Sequence, residues 1–239
     1  MIYITAILSL FLGDAIASPT ISVDPVRTLP PNWQYTITSL HGSGCPANPD
    51  PLYTTRTTYG QNTVDGSEIY YWFVAYPAMR VSLSDGGTAH TWRETELSYR
   101  EFADNNGEVT AEEYRLRLHK NGTRFSAVYE LEEGVTARWE VRYDAGKGKE
   151  IVDRLIVPGP FSSVKYATEK SSPAQTKTEL APLPECGRGT IKFRTDLYVE
   201  GTKGKRGSVA SELYTNEKGV SGYYGAQQGF SYDFEKCGK

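Results

Sequence analysis

The residues of this chain best suited to chemistry are three histidines, three cysteines and many acidic side chains. His41, His90 and His119 form no His-Glu-x-x-His pair, and no cluster of His and Cys has the spacing of a zinc site. His41 is close to Cys45 in sequence, so the two could in principle act as base and nucleophile. However, closeness in a loop does not supply the geometry that nucleophilic catalysis needs. We therefore predict no catalytic residue, no metal site, no cofactor and no enzyme activity.

Seven acidic residues crowd the middle of the chain: Glu94, Glu96, Glu101, Asp104, Glu108, Glu112 and Glu113. A glycosidase places two carboxylates at a fixed separation across a sugar, and sequence alone does not reveal that separation. Oxygen ligands in such a run also suit weak Ca²⁺ binding. We interpret the run around Asp104-Asn105-Asn106-Gly107 as a solvated loop, with an extracellular hydrolase as the second alternative for the protein's function.

Aromatic residues are the candidates for contact with a ligand. Tyr70 and Trp72 belong to an aromatic segment that alternates along a strand, and Tyr223 and Tyr224 lie in a Gly-rich segment near the end of the chain. Aromatic faces stack on sugar rings, so these four residues are possible ligand contacts. Packing in the core is the alternative for the first pair.

One N-glycosylation sequon is present, Asn121-Gly122-Thr123. Asn-Gly is also a strong signal for a tight β-hairpin turn, because both central residues of a type I′ turn need positive φ. The sequence therefore predicts a glycan on Asn121 at a hairpin tip.

Composition predicts an all-β protein. The chain has 239 residues, with 17 Tyr, 23 Gly and a formal net charge of −3, and aromatic residues favour strands. A near-neutral chain without a basic patch is not typical of a nucleic-acid binder. No apolar run after the first residues reaches the length of a membrane span, so no membrane span is predicted.

Alternating apolar residues predict several strands. Residues 33–40 form a strand with one buried side, and the apolar residues 69–75 form a central strand buried on both faces. Residues 114–119, 125–131 and 135–143 alternate in three runs with short connections, which predicts a meander. The fold class that follows is an antiparallel β-sandwich or distorted barrel of about ten to twelve short strands.

The first residues of the chain predict its compartment. Residues 2–12 are almost entirely apolar and lead to Ala15-Ile16-Ala17, the small-residue pattern of a signal-peptidase site. We expect residues 1–17 to be a signal peptide, 18–31 an extended leader and 32–239 a single β-rich secreted domain. Residues 168–185 are predicted to form a long loop or a linker between two halves of that domain.

Several segments together resemble a family of small secreted fungal proteins known as domain of unknown function 4360. They are residues 37–46 (ITSLHGSGCP), 114–119 (YRLRLH), 184–187 (PECG) and the closing Glu235-Lys236-Cys237. The resemblance covers roughly residues 33–237 and implies extracellular location, a β-rich fold and disulfides, but no established chemistry. The family has a further Cys before the strand that matches residues 114–119, and this chain has none there.

The resemblance also implies which cysteines pair. In an oxidising compartment it predicts a Cys186–Cys237 disulfide, which leaves Cys45 unpaired. Cys45 then either links two chains in a dimer or stays a free thiol in a monomer.

Three functions are compatible with these residues. The first is a fungal effector or virulence-associated factor that acts on a host protein outside the producing cell. The second is a protein that binds cell-wall polysaccharide or another carbohydrate, and the third is the hydrolase named above. A structure without any cleft of convergent acids or histidine would remove the hydrolase.

Overall fold

The computed structural model describes residues 29–44, 54–58, 70–144, 150–170, 181–183 and 185–238. The expected signal peptide, the leader up to residue 28 and Cys45 lie outside these residues.

The described residues form sixteen strands and no helix, which confirms the all-β class. In chain order the strands are β1 (Asn32–His41), β2 (Thr54–Thr58), β3 (Tyr70–Tyr76), β4 (Val81–Leu83), β5 (Gly87–Phe102), β6 (Tyr114–Leu131), β7 (Val135–Asp144), β8 (Glu150–Pro158), β9 (Phe161–Ser162), β10 (Ala167–Lys170), β11 (Ala181–Pro182), β12 (Arg188–Gly201), β13 (Gly207–Ala210), β14 (Leu213–Thr215), β15 (Ser221–Tyr223) and β16 (Ala226–Lys236).

The strands build two large antiparallel sheets and one small hairpin. The five-stranded sheet has the order β1-β5-β12-β7-β8. The nine-stranded sheet has the order β2-β3-β16-β6-β13-β4, and β9, β10 and β11 also pair with β6. The two-stranded β14-β15 hairpin stands apart from both.

The two large sheets pack face to face around one aromatic core. Trp139 of the five-stranded sheet stacks on Phe125 of the nine-stranded sheet with ring centroids 4.9 Å apart. Phe193 of the five-stranded sheet meets Phe230 of the nine-stranded sheet edge to face, with centroids 6.2 Å apart. These rings are at most 3% exposed. The expected sandwich is therefore present, and each inward ring contributes about 1.5–3 kcal/mol from burial.

The predicted central strand is correct. It is β3, which lies between β2 and β16. Both Tyr70 and Tyr71, which point to opposite faces of the sheet, are 5% exposed.

The predicted Asn121-Gly122 hairpin is wrong. β6 runs through this dipeptide without a turn, and β16 pairs with β6 on both sides of it. The register shifts between Phe230 and Tyr232, so that the dipeptide lies in a bulge of β6. Gly122 does have the positive φ that the signal predicts, at 70°, and its carbonyl accepts a hydrogen bond from Ser231 Oγ at 2.7 Å.

The predicted meander is also wrong, because β6 continues through Asn121-Gly122 without a turn. Its first two runs are one strand, β6, of the nine-stranded sheet, and its third run is β7 of the other sheet. The turn at Gly134 thus carries the chain from one sheet to the other. The expected long loop at 168–185 also contains part of β10 and all of β11, both paired with β6.

The predicted disulfide is confirmed. Cys186 and Cys237 are bonded, with their Cα atoms 6.4 Å apart. Cys186 lies just before β12 of the five-stranded sheet, and Cys237 directly follows β16 of the nine-stranded sheet. The bridge therefore joins the ends of the two sheets.

Candidate functional site

The face of the five-stranded sheet that points away from the core is lined with charged and aromatic side chains. We call it the outer face. Successive side chains of a strand alternate between faces, so the inward Phe193 and Thr195 place Arg194 and Asp196 outward. Strand pairing aligns the outward residues in three rows: His90, Tyr198, Arg138 and Ile156; Trp92, Asp196, Glu140 and Arg154; and His41, Glu94, Arg194, Arg142 and Val152.

Both aromatic rings of the outer face are in contact with planar cations or histidine. The Tyr198 ring stacks on the His90 ring with centroids 4.2 Å apart, and the Arg138 guanidinium lies 3.9 Å from the Tyr198 centroid. The Arg194 guanidinium lies 4.2 Å from the Trp92 centroid. These contacts hold the rings and the guanidinium groups in fixed positions.

Asp196 anchors the centre of the outer face. Its side chain is 1% exposed, accepts from Arg194 Nε at 2.9 Å, and accepts from His90 Nε2 at 2.8 Å. Burial opposes its ionisation, but the hydrogen bonds from Arg194 and His90 outweigh burial and lower the pKa of Asp196. The carboxylate is therefore an acceptor that fixes its two neighbours.

Glu140 has the same role one strand further on. Its side chain is 5% exposed and accepts from Arg154 Nε at 2.8 Å. It also pairs with Arg142, and an Arg138 nitrogen lies 3.5 Å away. Burial raises the pKa of Glu140, but the hydrogen bonds from Arg154 and Arg142 lower it by more, so the net shift is downward.

One end of the outer face forms an open groove of about 350 Å³. Its charged side chains are His41, Glu94, Glu96, Arg142, Asp144, Glu150, Lys192 and Arg194. We call it the outer groove.

Ion pairs hold two carboxylates of the outer groove, those of Glu94 and Glu96. Glu94 pairs with His41 and lies 3.7 Å from Arg194. Glu96 accepts from Lys192 at 2.9 Å. The hydrogen bond from Lys192, supported by one from Thr38, lowers the pKa of Glu96.

The pKa directions of three carboxyl groups bear on whether the outer face suits acid catalysis. A general acid in a hydrolase needs a carboxyl whose pKa is raised toward the working pH. Every resolved carboxyl shift on the outer face, at Glu96, Glu140 and Asp196, is downward. These three carboxylates are therefore held as hydrogen-bond acceptors beside cationic donors, an arrangement that suits binding.

Tyr70 and Trp72 do not contribute to a surface site. They are 5% and 3% exposed, because the Trp72 ring packs on Phe230 at 5.4 Å and the Tyr70 ring packs on Tyr232 at 5.7 Å. The core alternative is the correct one for both, and the expected ligand contact at these residues is wrong.

Tyr223 and Tyr224 lie at the β14-β15 hairpin, away from the outer face. Tyr224 is 53% exposed and its ring lies 5.1 Å from that of Tyr214. Arg80 lies over the Tyr223 ring at 4.5 Å. Contact of these two tyrosines with a ligand stays a prediction.

The remaining sequence candidates are scattered. The Asn121 backbone lies in the β6 bulge instead of at a hairpin tip, its side chain is outside the described residues, and its glycosylation stays a prediction. The side chain of His119 and all of Cys45 are likewise outside them. The structure does bring His41 into the outer groove, although its partner there is Glu94.

Sequence reasoning missed most of the outer face. The polar positions between the apolar residues of β7 and β12 mark one half of it, and that alternation was visible. The other half, which includes Trp92, lies on β5, where three successive inward residues are the polar Thr91, Arg93 and Thr95. Because these inward positions are not apolar, the sequence pattern does not indicate a strand there.

Comparisons with known proteins identify no family. A scan against protein-family models finds no match, and a search of curated proteins finds no relative. Among solved structures, the chain is similar to TmCBM61, solved in complex with beta-1,4-galactotriose. The identity is 12%, the match covers 86% of this chain and 88% of that one, and the TM-score is 0.23.

The described residues contain neither a metal-binding cluster nor a membrane-crossing helix. No group of three or more His, Cys, Asp or Glu side chains in them is arranged to hold a metal ion. They also contain no helix with the length and hydropathy that a membrane crossing requires.

Proposed function

We propose that the protein binds an extracellular polysaccharide through the outer face of the five-stranded sheet. The observation that carries this proposal is the outer groove, where fixed carboxylates alternate with fixed cations. Its volume of about 350 Å³ is within the range of ligand sites, about 300–1,000 Å³.

Paired charges of this kind match the hydroxyl groups of a sugar. Each sugar hydroxyl both donates and accepts, so two neighbouring hydroxyls are satisfied by a carboxylate beside an ammonium or guanidinium group. Glu96 with Lys192, and Glu94 with Arg194, supply such pairs in the outer groove. Because these partners already hold one another, little side-chain entropy is lost when a ligand binds.

The aromatic residues of the outer face add an apolar component. Trp92 precedes Glu94 by two residues on β5, so both side chains point outward. The Arg194 guanidinium that lies on the Trp92 ring also borders the outer groove. A sugar in the groove would therefore meet the Arg194 guanidinium, which the Trp92 ring behind it holds in place.

A hydrolase remains a second candidate, because the outer groove gathers four carboxylates and His41. A structure without any cleft of convergent acids or histidine would remove this candidate, but the outer groove is such a cleft. The lowered pKa of Glu96 favours binding over acid catalysis, since Glu96 is held in its ionised form. Action on a host, a secreted location and membership of the resembled family all stay predictions.

Retention of the protein on insoluble polysaccharide tests the proposal. The purified chain is incubated with chitin, β-1,3-glucan and cellulose, and the bound fraction is measured. The test variant carries Lys192→Ala and Glu94→Gln in the outer groove. The matched control carries Lys218→Ala and Glu217→Gln, an exposed Lys and Glu in the turn of the β14-β15 hairpin.

We expect at least one polysaccharide to retain the wild-type chain, and the groove variant to lose about tenfold in affinity, the equivalent of one strong hydrogen bond. The control variant should bind like wild type. Both variants should fold, because exposed ion pairs contribute only about 0–1 kcal/mol to stability. No retention on any polymer, or equal losses in both variants, would contradict the proposal.

A further inference from the structure

Three arginines surround one buried carboxylate in the middle of the outer face. Glu140 accepts from Arg154 Nε and pairs with Arg142, and an Arg138 nitrogen lies 3.5 Å away. Arg138 also contacts Glu200 at 3.1 Å and lies against the Tyr198 ring, so three groups hold its guanidinium. Within the described residues, Arg142 and Arg154 are hydrogen-bonded to Glu140 alone.

Arg142 and Arg154 each have more donors than their hydrogen bond to Glu140 uses. A guanidinium group has five N–H donors. Within the described part of the chain, Arg154 uses Nε for Glu140 and Arg142 uses Nη2. The Arg154 side chain is 64% exposed and the Arg142 side chain is 43% exposed. Both guanidinium groups are thus fixed at one side and open to solvent at the other.

The surroundings of Arg154 suit a sugar that carries an acidic group. Its outward neighbours on β8 are the apolar Val152 and Ile156, and Ile156 is 60% exposed. Two further acids, Asp196 and Glu150, act on Arg142 through their charge. An apolar rim beside two oriented guanidinium groups can contact the carbon atoms of a sugar while binding its anionic group.

We infer that Arg142 and Arg154 form a subsite for an anionic group of the polysaccharide, a uronate carboxylate or a sulfate ester. This inference rests on the proposed function and names its substrate class. The planar fork of a guanidinium group matches two oxygens of either anion. Glu140 acts as a positioning residue, because it fixes both guanidinium groups before the ligand arrives.

Calorimetric titration with matched sugars tests the subsite. The probes are oligogalacturonate, the same oligosaccharide as its neutral methyl ester, and dextran sulfate with unmodified dextran. The test variant is Arg154→Ala. The control is Arg188→Ala, because Arg188 is also 64% exposed and also donates through Nε to one carboxylate, Glu185.

We expect one acidic probe to bind at least about tenfold more tightly than its neutral form, and Arg154→Ala to abolish that preference. Preference for oligogalacturonate would assign a uronate, and preference for dextran sulfate would assign a sulfate ester. Arg188→Ala should keep the preference. Glu150→Gln should strengthen acidic binding, because it removes a negative charge near Arg142.

Equal affinity for the acidic and neutral forms, or equal losses in Arg154→Ala and Arg188→Ala, would overturn the inference. If chitin, glucan or cellulose still retained the chain through Lys192 and Glu94, the proposed function would stand without the anionic subsite. If no probe or polymer bound, both would fail.

Discussion

Removal of the Cys186–Cys237 disulfide should destabilise the protein more than any exposed substitution. The two cysteines are 51 residues apart in sequence, and in the chain-entropy treatment a loop of that length stabilises the folded state by about 4 kcal/mol at 25 °C. The bridge also holds the end of β16, where the Cys237 amide donates to the Glu113 carbonyl at 2.8 Å. At this chain length about 4 kcal/mol corresponds to a fall in Tm of about 10 °C.

The measurement compares guanidinium denaturation of wild type with the double variant Cys186→Ala, Cys237→Ala. Both cysteines are replaced because a single replacement would leave a thiol able to pair with Cys45. Reductant should lower the stability of wild type by a similar amount and should not affect the double variant. A loss below about 1 kcal/mol would refute the reasoning that this bridge constrains the unfolded chain.

Four further substitutions test other parts of the structure. Burial raises the pKa of Glu101, so the ionised form of Glu101 destabilises the fold at neutral pH. This effect disappears as the pH falls through the raised pKa toward the unfolded value of about 4.3. Glu101→Gln should therefore increase the free energy of unfolding at pH 7 but not near pH 4, and urea denaturation that shows no pH-dependent difference would contradict this. Gly42→Ala should cost about 2 kcal/mol or more in the same assay, because Gly42 has φ +124° and an added Cβ would lie 2.5 Å from the Trp92 carbonyl oxygen. Gly87→Ala, at φ +83° with nothing within 4 Å, should cost only about 1 kcal/mol, and equal costs would show that the clash is unimportant. Tyr224→Ala should change the free energy of unfolding by less than about 0.5 kcal/mol, because Tyr224 is 53% exposed. The same substitution should leave polysaccharide retention unchanged. A large loss of retention would place the binding site at the β14-β15 hairpin.

The fold class could be predicted from the sequence because most strands alternate clearly. The central strand β3 was visible as a short aromatic run bounded by turn residues. The disulfide could be predicted only through the resemblance to a family, since three cysteines allow three different pairs. These features depend on residues near one another in sequence or on a known pattern.

β5 could not be predicted from alternation because its inward residues include Thr91, Arg93 and Thr95. The core accepts them through specific contacts. The Arg93 guanidinium lies 4.3 Å from the Tyr76 ring centroid, and Thr95 Oγ1 lies 2.9 Å from the Tyr76 hydroxyl. A buried strand with polar inward residues looks like a loop to any method that counts apolar positions.

The Asn121-Gly122 signal was interpreted in the wrong context. The backbone does take positive φ at Gly122, as the dipeptide favours. However, β16 supplies a partner for β6 on both sides of this point, so the chain bulges and continues. Which strand lies beside β6 is a long-range fact that the dipeptide does not encode.

The outer face was hidden for a related reason. His90, Asp196 and Glu140 come together only because β5, β12 and β7 are neighbours in register. The first two of these residues are 106 positions apart in sequence. Alternation tells which side chains point outward, but only the strand order tells which of them meet.

The central claim is that the outer face binds polysaccharide, and the indole N–H signals of the four tryptophans test it most directly. Trp92 lies on the outer face, whereas Trp72 and Trp139 are buried at 3% and 1% exposure. The ¹H–¹⁵N titration uses soluble oligosaccharides of the retained polymer or oligogalacturonate, and the Trp92 signal is assigned through Trp92→Phe. The Trp92 signal should shift with ligand concentration, while the signals of Trp72 and Trp139 should stay in place. A saturable titration that leaves the Trp92 signal unmoved would contradict binding at this face.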